Sequence, residues 1–280
     1  MRPLAVLTWL LLPLPALAGW PNDVRVSELR THDGLRAPAP TTEAWRALVA
    51  DLGTAVANVP WVPAATTGAV GWDVSLGNTF VFVDAYDDDE PTAWQRSHPE
   101  GRPAPYLFLP AMTLRKGLPW SFEVGTTGGW VGGSRQGVLG GFVRYAPFEN
   151  HKPYPDLAFQ VGYSGYIGND ELDLGVLDLG VTVGSTFPLH RIEEGVTYSH
   201  WSPFLGVDLL RVSASPRLSD ELAADVGAFP LGRGAEETAL ALVRVSTGFQ
   251  VTTGRALLRL GASWVPQTAP TLGVGMGFAL

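Results

Sequence analysis

The chain has 280 residues, a formal net charge of −8 and no cysteine; 46% of its residues are hydrophobic and only 16% are charged. This balance leaves no basic footprint for nucleic acid, and the lack of cysteine excludes a disulfide framework and a lipid-anchored N-terminus. A soluble surface normally carries more charge, yet no apolar run after residue 18 reaches the roughly 18 residues of a spanning helix, which leaves the closed β-barrel as the membrane structure to consider.

Residues 1–18 have the layout of a secretory signal peptide. Arg2 precedes an apolar stretch from Leu4 to Leu17, and Ala16 and Ala18 supply small residues for cleavage. No stop-transfer pattern follows. We therefore expect export with removal of this segment, rather than a permanent membrane helix.

Residues 19–69 are predicted to be a periplasmic lead-in to the barrel. The first part, to residue 40, is polar and proline-rich, which is typical of extended chain. Residues 41–57 differ, because Thr41 can cap a helix and the following apolar residues recur at helical spacing. These residues are Trp45, Leu48, Val49, Leu52 and Val56. Two interpretations stay open for this helix: it lies against the barrel rim, or it enters the lumen as a plug.

From residue 70 to the end the hydrophobic period is 2, as in half-buried strands. In the first strand Trp72, Val74 and Leu76 alternate with Asp73 and Ser75. We predict an all-β fold over 70–280, an antiparallel up-and-down transmembrane β-barrel of about ten strands, within a range of eight to twelve. The predicted strands are a first one from residue 70, then 105–115, 120–131, 136–146, 156–167, 173–187, 197–210, 239–252, 255–265 and 270–280.

Aromatic spacing and loop lengths favour a membrane barrel over a soluble β-sandwich. Trp120 and Trp130 lie ten residues apart on one face, which at a tilt of ~45° corresponds to ~23 Å along the membrane normal. The two longest connections, 85–104 and 211–238, fall on the same side, as expected for external loops. The predicted membrane-interface aromatics are Trp72, Trp120, Trp130, Trp201, Trp264 and Phe278.

The last strand carries a more specific signature. Leu272, Val274, Met276, Phe278 and Leu280 alternate with small residues up to the end of the printed sequence. This pattern resembles the C-terminal strand of bacterial outer-membrane β-barrel proteins, although the usual closing residue is aromatic and here it is Leu280. The resemblance implies an outer-membrane location, contact with outer-membrane lipid, and the barrel assembly machinery as a partner.

The inward face is rich in glycine, which indicates lumen volume for a pore or an internal plug, or relief of crowding in a tightly coiled barrel. Charged residues also fall on this face and would pair across the lumen and fill it, or line an open pore. The predicted lumen-facing residues are Asp73, Glu123, Arg144, Asp178, Asp208, Arg244 and Arg259.

The sharpest candidate for chemistry is the pair His200 and Ser202, which share one face of a strand, so the imidazole could act as base for the hydroxyl. The pair is similar to that of outer-membrane lipid A deacylases, but no equivalent of their glutamate follows, and Asp208 is the nearest acid on that face. The other histidines are scattered and form no metal cluster: His32, His98, His151 and His190. The acidic residues Asp84 and Asp87 to Glu90 indicate a solvated loop rather than a calcium site. No cofactor motif is present.

Four functional hypotheses remain open. The leading one is a non-enzymatic outer-membrane barrel, either a passive small-solute channel or a structural or adhesive surface anchor. The alternatives are a carrier of apolar small molecules gated by residues 41–57, a lipid-modifying enzyme that uses His200 and Ser202, and a secreted soluble β-sandwich.

Overall fold

The computed structural model describes most of the chain. The described residues are 20–29, 42–57, 61–83, 92–98, 103–149, 154–190, 199–232, 238–266, 268 and 270–280. The expected signal peptide, the acidic run 84–90, and His32 and His151 lie outside these residues.

Eleven strands form one antiparallel sheet that closes on itself. β1 pairs with β11, from Asp73 opposite Ala279 to Val81 opposite Thr271, and β6 pairs with β8. The short β7 continues β6 along the same edge of β8, with a register shift between Pro188 and His190, so ten strands surround the lumen. The predicted ten-strand antiparallel barrel is therefore confirmed. The strands are β1 (Trp72–Phe82), β2 (Tyr106–Leu118), β3 (Phe122–Trp130), β4 (Gly137–Tyr145), β5 (Asp156–Ile167), β6 (Leu172–Gly184), β7 (Phe187–His190), β8 (Ser199–Pro216), β9 (Leu240–Thr253), β10 (Ala256–Trp264) and β11 (Thr271–Ala279).

The predicted sixth strand, 173–187, is divided into β6 and β7. The other strand bounds agree closely with the sequence pattern except in β8. This strand continues to Pro216, so the connection predicted over 211–238 begins at residue 217. In the extension the apolar side chains Val212 and Ala214 point inward and Arg211 points outward, whereas in the rest of the strand apolar side chains point outward. Because of this change the sequence pattern predicted a loop here.

The two ends of the barrel differ. The turn end carries the tight connections 119–121 and 254–255, and here the barrel begins and ends, with the Trp72 amide donating to the Leu280 carbonyl at 2.9 Å. The opposite end, called the loop end, carries the two longest connections, 83–105 and 217–239.

The N-terminal helix α1 (Thr42–Val56) enters the barrel through the loop end. Glu43, Arg46 and Ala47 in its first half are exposed, but from Leu48 to Ala57 every residue except the partly buried Asp51 is buried. A helix is buried on all sides only when it is surrounded. Of the two interpretations of this segment, the structure therefore shows the helix inside the lumen rather than beside the rim.

The chain then continues through the lumen toward the turn end. The Trp61 ring lies against the inner face of β10 and β11, where a Cβ on Gly261 or Gly273 would overlap it. Further down, the Thr67 amide donates to Glu123 at 2.9 Å, and the Gly117 amide donates to the Gly71 carbonyl at 3.1 Å. We call residues 42–57 and 61–71 together the plug.

Short elements cover the loop end above the plug. They are a 3₁₀ turn (Val26–Leu29), α2 (Ala93–Arg96) and α3 (Asp220–Asp225). Thr92 and Gln95 form a capping box on α2, and the Trp45 indole donates to the Phe229 carbonyl at 2.9 Å. Together with α1 and the inner wall these elements bury one apolar cluster, which includes Val26, Trp45, Leu48, Trp94, Leu172, Leu210 and Leu242. In the described part of the chain, no helix has the length and apolar character needed to cross a membrane.

Candidate functional site: a plugged lumen

The outer surface of the barrel is an apolar band between two aromatic rows. Outward side chains in the middle of the strands, such as Leu76, Val161 and Leu205, are more than half exposed. Of the predicted interface aromatics, the structure places Trp130 and Trp264 at the loop end and the other four, Trp72, Trp120, Trp201 and Phe278, toward the turn end. Trp120 lies in the turn before β3 rather than in the strand. Such a surface suits hydrocarbon and not water.

Inside the barrel, buried charges converge on Asp73. Its Oδ2 accepts from Arg115 Nη2 at 2.5 Å and from Arg259 Nη2. Arg115 also donates to Glu123 at 3.0 Å, and Arg259 Nε donates to Gln250 at 2.9 Å. At this burial the attraction offsets the desolvation cost only because both guanidinium groups reach several acceptors.

The other predicted lumen-facing residues, on β4, β6, β8 and β9, are also buried. Arg244 Nε donates to Asp208 at 2.9 Å, and Gln160 donates to Asp178 at 3.1 Å. Arg144 lies in register with Glu123, but its guanidinium nitrogens have no hydrogen-bond partner among the described residues. The inner wall thus carries five buried acids, Asp73, Glu123, Asp156, Asp178 and Asp208, and four buried arginines, Arg115, Arg144, Arg244 and Arg259.

Two acids hold the lower part of the plug, Glu123 on the wall and Glu149 in the connection between β4 and β5. The backbone amide and hydroxyl of Thr66 donate to Glu149 Oε2 at 2.7 and 2.8 Å. The Thr67 amide donates to the second oxygen of Glu123, the first of which binds Arg115. Hydrogen bonds to charged groups are among the stronger ones, so the extended segment is fixed to the wall.

A cavity of about 80 Å³ remains in the lumen below the helix. Ala55, Ala57 and Trp61 of the plug bound it on one side, and Arg259 lies at its border. The wall contributes small and hydroxyl side chains, among them Ser75, Thr79, Thr113, Thr127 and Ser164. Binding pockets for small molecules usually measure about 300–1,000 Å³, so this space suits water rather than an organic ligand.

His200 and Ser202 line a separate vestibule of about 300 Å³ at the turn end, next to Asp73 and Arg115. Both side chains point into the barrel and away from the lipid-facing surface. The Ser202 hydroxyl shares a hydrogen bond with Thr186 at 3.0 Å, and Asp208, the acid considered for the pair, binds Arg244. Within the described ranges, no group of His, Asp and Glu is arranged as a metal site.

At the loop end, His98 follows α2 and lies near Asn22 and Asp23 in the segment before the plug. Its Nδ1 lies 2.8 Å from the Trp94 carbonyl and 3.0 Å from the Ser97 hydroxyl, and its ring packs on Trp94. Burial lowers the pKa of His98 below its usual 6.5, because the charged form loses hydration. The carbonyls of Trp94 and Asn22, together with Asp23, oppose this shift.

Known proteins offer partial likenesses. The sequence matches no protein-family model and no curated protein. Among solved structures, it is similar to Ail, the attachment invasion locus protein of Yersinia pestis, with 13% identity and a TM-score of 0.27 over 76% of this chain and 99% of that one. The N-terminal β-barrel domain of Pseudomonas aeruginosa OprF is similar with 9% identity and a TM-score of 0.28, over 76% of this chain and 99% of that one. The transport unit of the Escherichia coli autotransporter AIDA-I is similar with 9% identity and a TM-score of 0.38, over 86% of this chain and 98% of that one.

The closed sheet and its apolar outer band decide the class of protein. Each of the ten strands around the barrel is paired on both sides, and the exposed side chains in the middle of the barrel suit hydrocarbon. The protein is a transmembrane β-barrel. A secreted β-sandwich is thereby excluded, because a sandwich does not pair its first strand with its last and faces water on its outer surfaces.

Sequence reasoning missed one central residue of this barrel, Arg115. It lies on the inner face of β2 together with Leu107 and Leu109, which contact the apolar cluster around the plug helix. Because the inner face of β2 changes from apolar to charged along the strand, its alternation does not show which face is inside. The register with β1 supplies the signal, since it places Arg115 opposite Asp73.

Proposed function

We propose that the protein is a non-conducting outer-membrane barrel that serves as a structural surface anchor, with its N-terminal segment as a resident plug. The observation that carries the proposal is the position of residues 42–57 and 61–71 in the lumen. The interior of an eight-stranded barrel is narrow enough for its own side chains to fill, and a ten-stranded barrel is only slightly wider. One helix and one extended segment therefore suffice to close this interior.

The inner wall supports a filled lumen rather than a conducting one. Ion-conducting pores present rings of one charge to a water-filled path, whereas here Asp73, Glu123 and Asp208 bind arginines at 2.5–3.0 Å and are nearly inaccessible. A passive channel for small solutes would need this network to face water. The anchor is therefore favoured over the channel.

The carrier and enzyme hypotheses receive less support. A carrier gated by α1 needs a chamber large enough for its cargo, but the cavity under the helix measures only about 80 Å³. A lipid-modifying enzyme needs its nucleophile within reach of lipid, whereas Ser202 faces the lumen. We assign no catalytic role to His200 and Ser202, and we expect Ser202→Ala to leave membrane lipids unchanged.

Planar-bilayer conductance tests the proposal. The purified full-length protein should give no stable current steps, while a variant lacking residues 20–57 should conduct if it still shows the heat-modifiable gel mobility of a folded barrel. Stable steps from the full-length protein, at the level of the deletion variant, would refute the sealed lumen. A silent, folded deletion variant would show that the plug is not what closes the barrel.

A further inference from the structure

Residues 20–29 bind the connections of the loop end. The side-chain amide of Asn22 donates to the Gly132 carbonyl at 2.6 Å, and the Arg135 amide donates to Asp23 at 2.8 Å. The backbone amide and hydroxyl of Ser27 both donate to Glu171 at 2.8 Å.

The same chain enters β1 at the opposite end. After α1 it passes Trp61 in mid-lumen and Thr67 near Glu123, and it reaches Trp72 beside Leu280 at the turn end. The N-terminal region therefore threads the whole barrel, with residue 20 at one mouth and residue 72 at the other.

The asymmetry of the connections assigns these mouths to the two sides of the membrane. Outer-membrane barrels have short periplasmic turns and long external loops. The two longest connections, 83–105 and 217–239, leave from the loop end, and the first and last strands of the barrel meet at the turn end. The loop end thus corresponds to the cell exterior.

The geometry points to surface display of the N-terminal region: residues 20–29 lie on the outer side of the membrane. This reverses the periplasmic location expected for residues 19–69 from the sequence alone. The plug is a transmembrane element of its own, which carries an N-terminal segment outward through the lumen while the barrel closes at the periplasmic side. A fusion placed before residue 20 would be presented to the exterior.

Single-cysteine labelling tests this topology, because the chain has no cysteine of its own. A membrane-impermeant maleimide is applied to intact and to permeabilised bacteria that produce Pro21→Cys, with Glu221→Cys in α3 as the loop-end control and Arg255→Cys as the turn-end control. All three native side chains are exposed. Trp20→Cys is a second reporter if Pro21→Cys does not reach the folded, heat-modifiable form.

We expect Pro21→Cys and Glu221→Cys to be labelled in intact cells and Arg255→Cys only after permeabilisation. If the reporter at residue 21 or 20 is labelled only after permeabilisation, the proposal is wrong, whatever the result at residue 221. This outcome is independent of conductance, so surface display and the sealed lumen can fail separately.

Discussion

Arg115 illustrates how single side chains hold the interior of this barrel together. It joins Asp73 on β1 to Glu123 on β3, and Glu123 in turn accepts from the plug at Thr67. The barrel wall and the segment inside it thus share one hydrogen-bonded network. Because all three charged side chains are buried, loss of one partner leaves the others without compensation.

Replacement of this arginine should be costly. We expect Arg115→Leu to reduce the free energy of unfolding by about 3–5 kcal/mol, since Asp73 and Glu123 would stay buried with fewer donors. Urea unfolding in detergent micelles measures this change. Arg217→Leu is the matched control, because Arg217 forms an exposed pair with Asp173 at 3.4 Å that should contribute less than about 1 kcal/mol. Equal losses in the two variants would refute a special role for the network.

His98 gives the loop end a defined pH response. Since the pKa of His98 in the folded protein lies below its unfolded value of 6.5, the unfolded chain takes up the proton first as the pH falls. Folding stability should therefore be complete above about pH 6.5 and decrease toward lower pH, by at most ~1.4 kcal/mol per pH unit for one proton, until the folded pKa is passed. His98→Gln should abolish the part of the pH slope between pH 6.5 and 5.5 in urea unfolding. An unchanged slope would assign it to other groups.

The plug and the wall fit each other at the level of secondary-structure elements. Trp61 has a φ of +43°, a conformation that non-glycine residues adopt rarely and that persists only where packing imposes it. Its ring occupies the space above Gly261 and Gly273, so glycine on β10 and β11 makes room for the segment between the plug helix and the turn end.

A methyl group at this contact should disturb the plug. We expect Gly261→Ala to lower the free energy of unfolding by about 1–3 kcal/mol through overpacking against Trp61. Gly165→Ala on β5 is the control, because its added methyl group would meet only an ordinary contact at 3.9 Å. The same urea titration compares the two variants. A Gly261→Ala protein as stable as the control would mean that Trp61 does not occupy this position.

At this scale the sequence is informative wherever the environments of the two strand faces differ sharply. β5 alternates between lipid and a polar interior, and its predicted bounds of 156–167 equal those observed. Near the loop end the rule fails, because the wall of β6 and β8 turns apolar side chains inward against α1, as Leu174 and Val212 show. The helix itself was predictable, but how far it enters the lumen was not. Its later turns contain Gly53, Thr54 and Ala55, small residues whose burial cannot be predicted from the spacing of apolar residues.

The whole molecule is a barrel with an apolar exterior and a polar inner wall that carries buried ion pairs, and a segment of its own chain occupies the lumen. The ten-strand class followed from the number of alternating segments, and the outer surface followed from their polarity. The sequence did not show whether the inward charges line an open pore or pair with each other and close it, since the same residue types suit both. The decision depends on long-range contacts, such as Thr67 with Glu123, that local patterns do not encode.

The most direct test of the central claim is the accessibility of one residue deep on the plug helix while the barrel is folded. Ala55→Cys, at a side chain only 9% exposed in the lumen, is compared with Ala47→Cys on the exposed part of the same helix. In unboiled, detergent-solubilised protein that keeps its folded gel mobility, a maleimide should label Ala47→Cys readily and Ala55→Cys only after boiling. Rapid labelling of Ala55→Cys in the folded barrel would contradict a helix enclosed by the lumen.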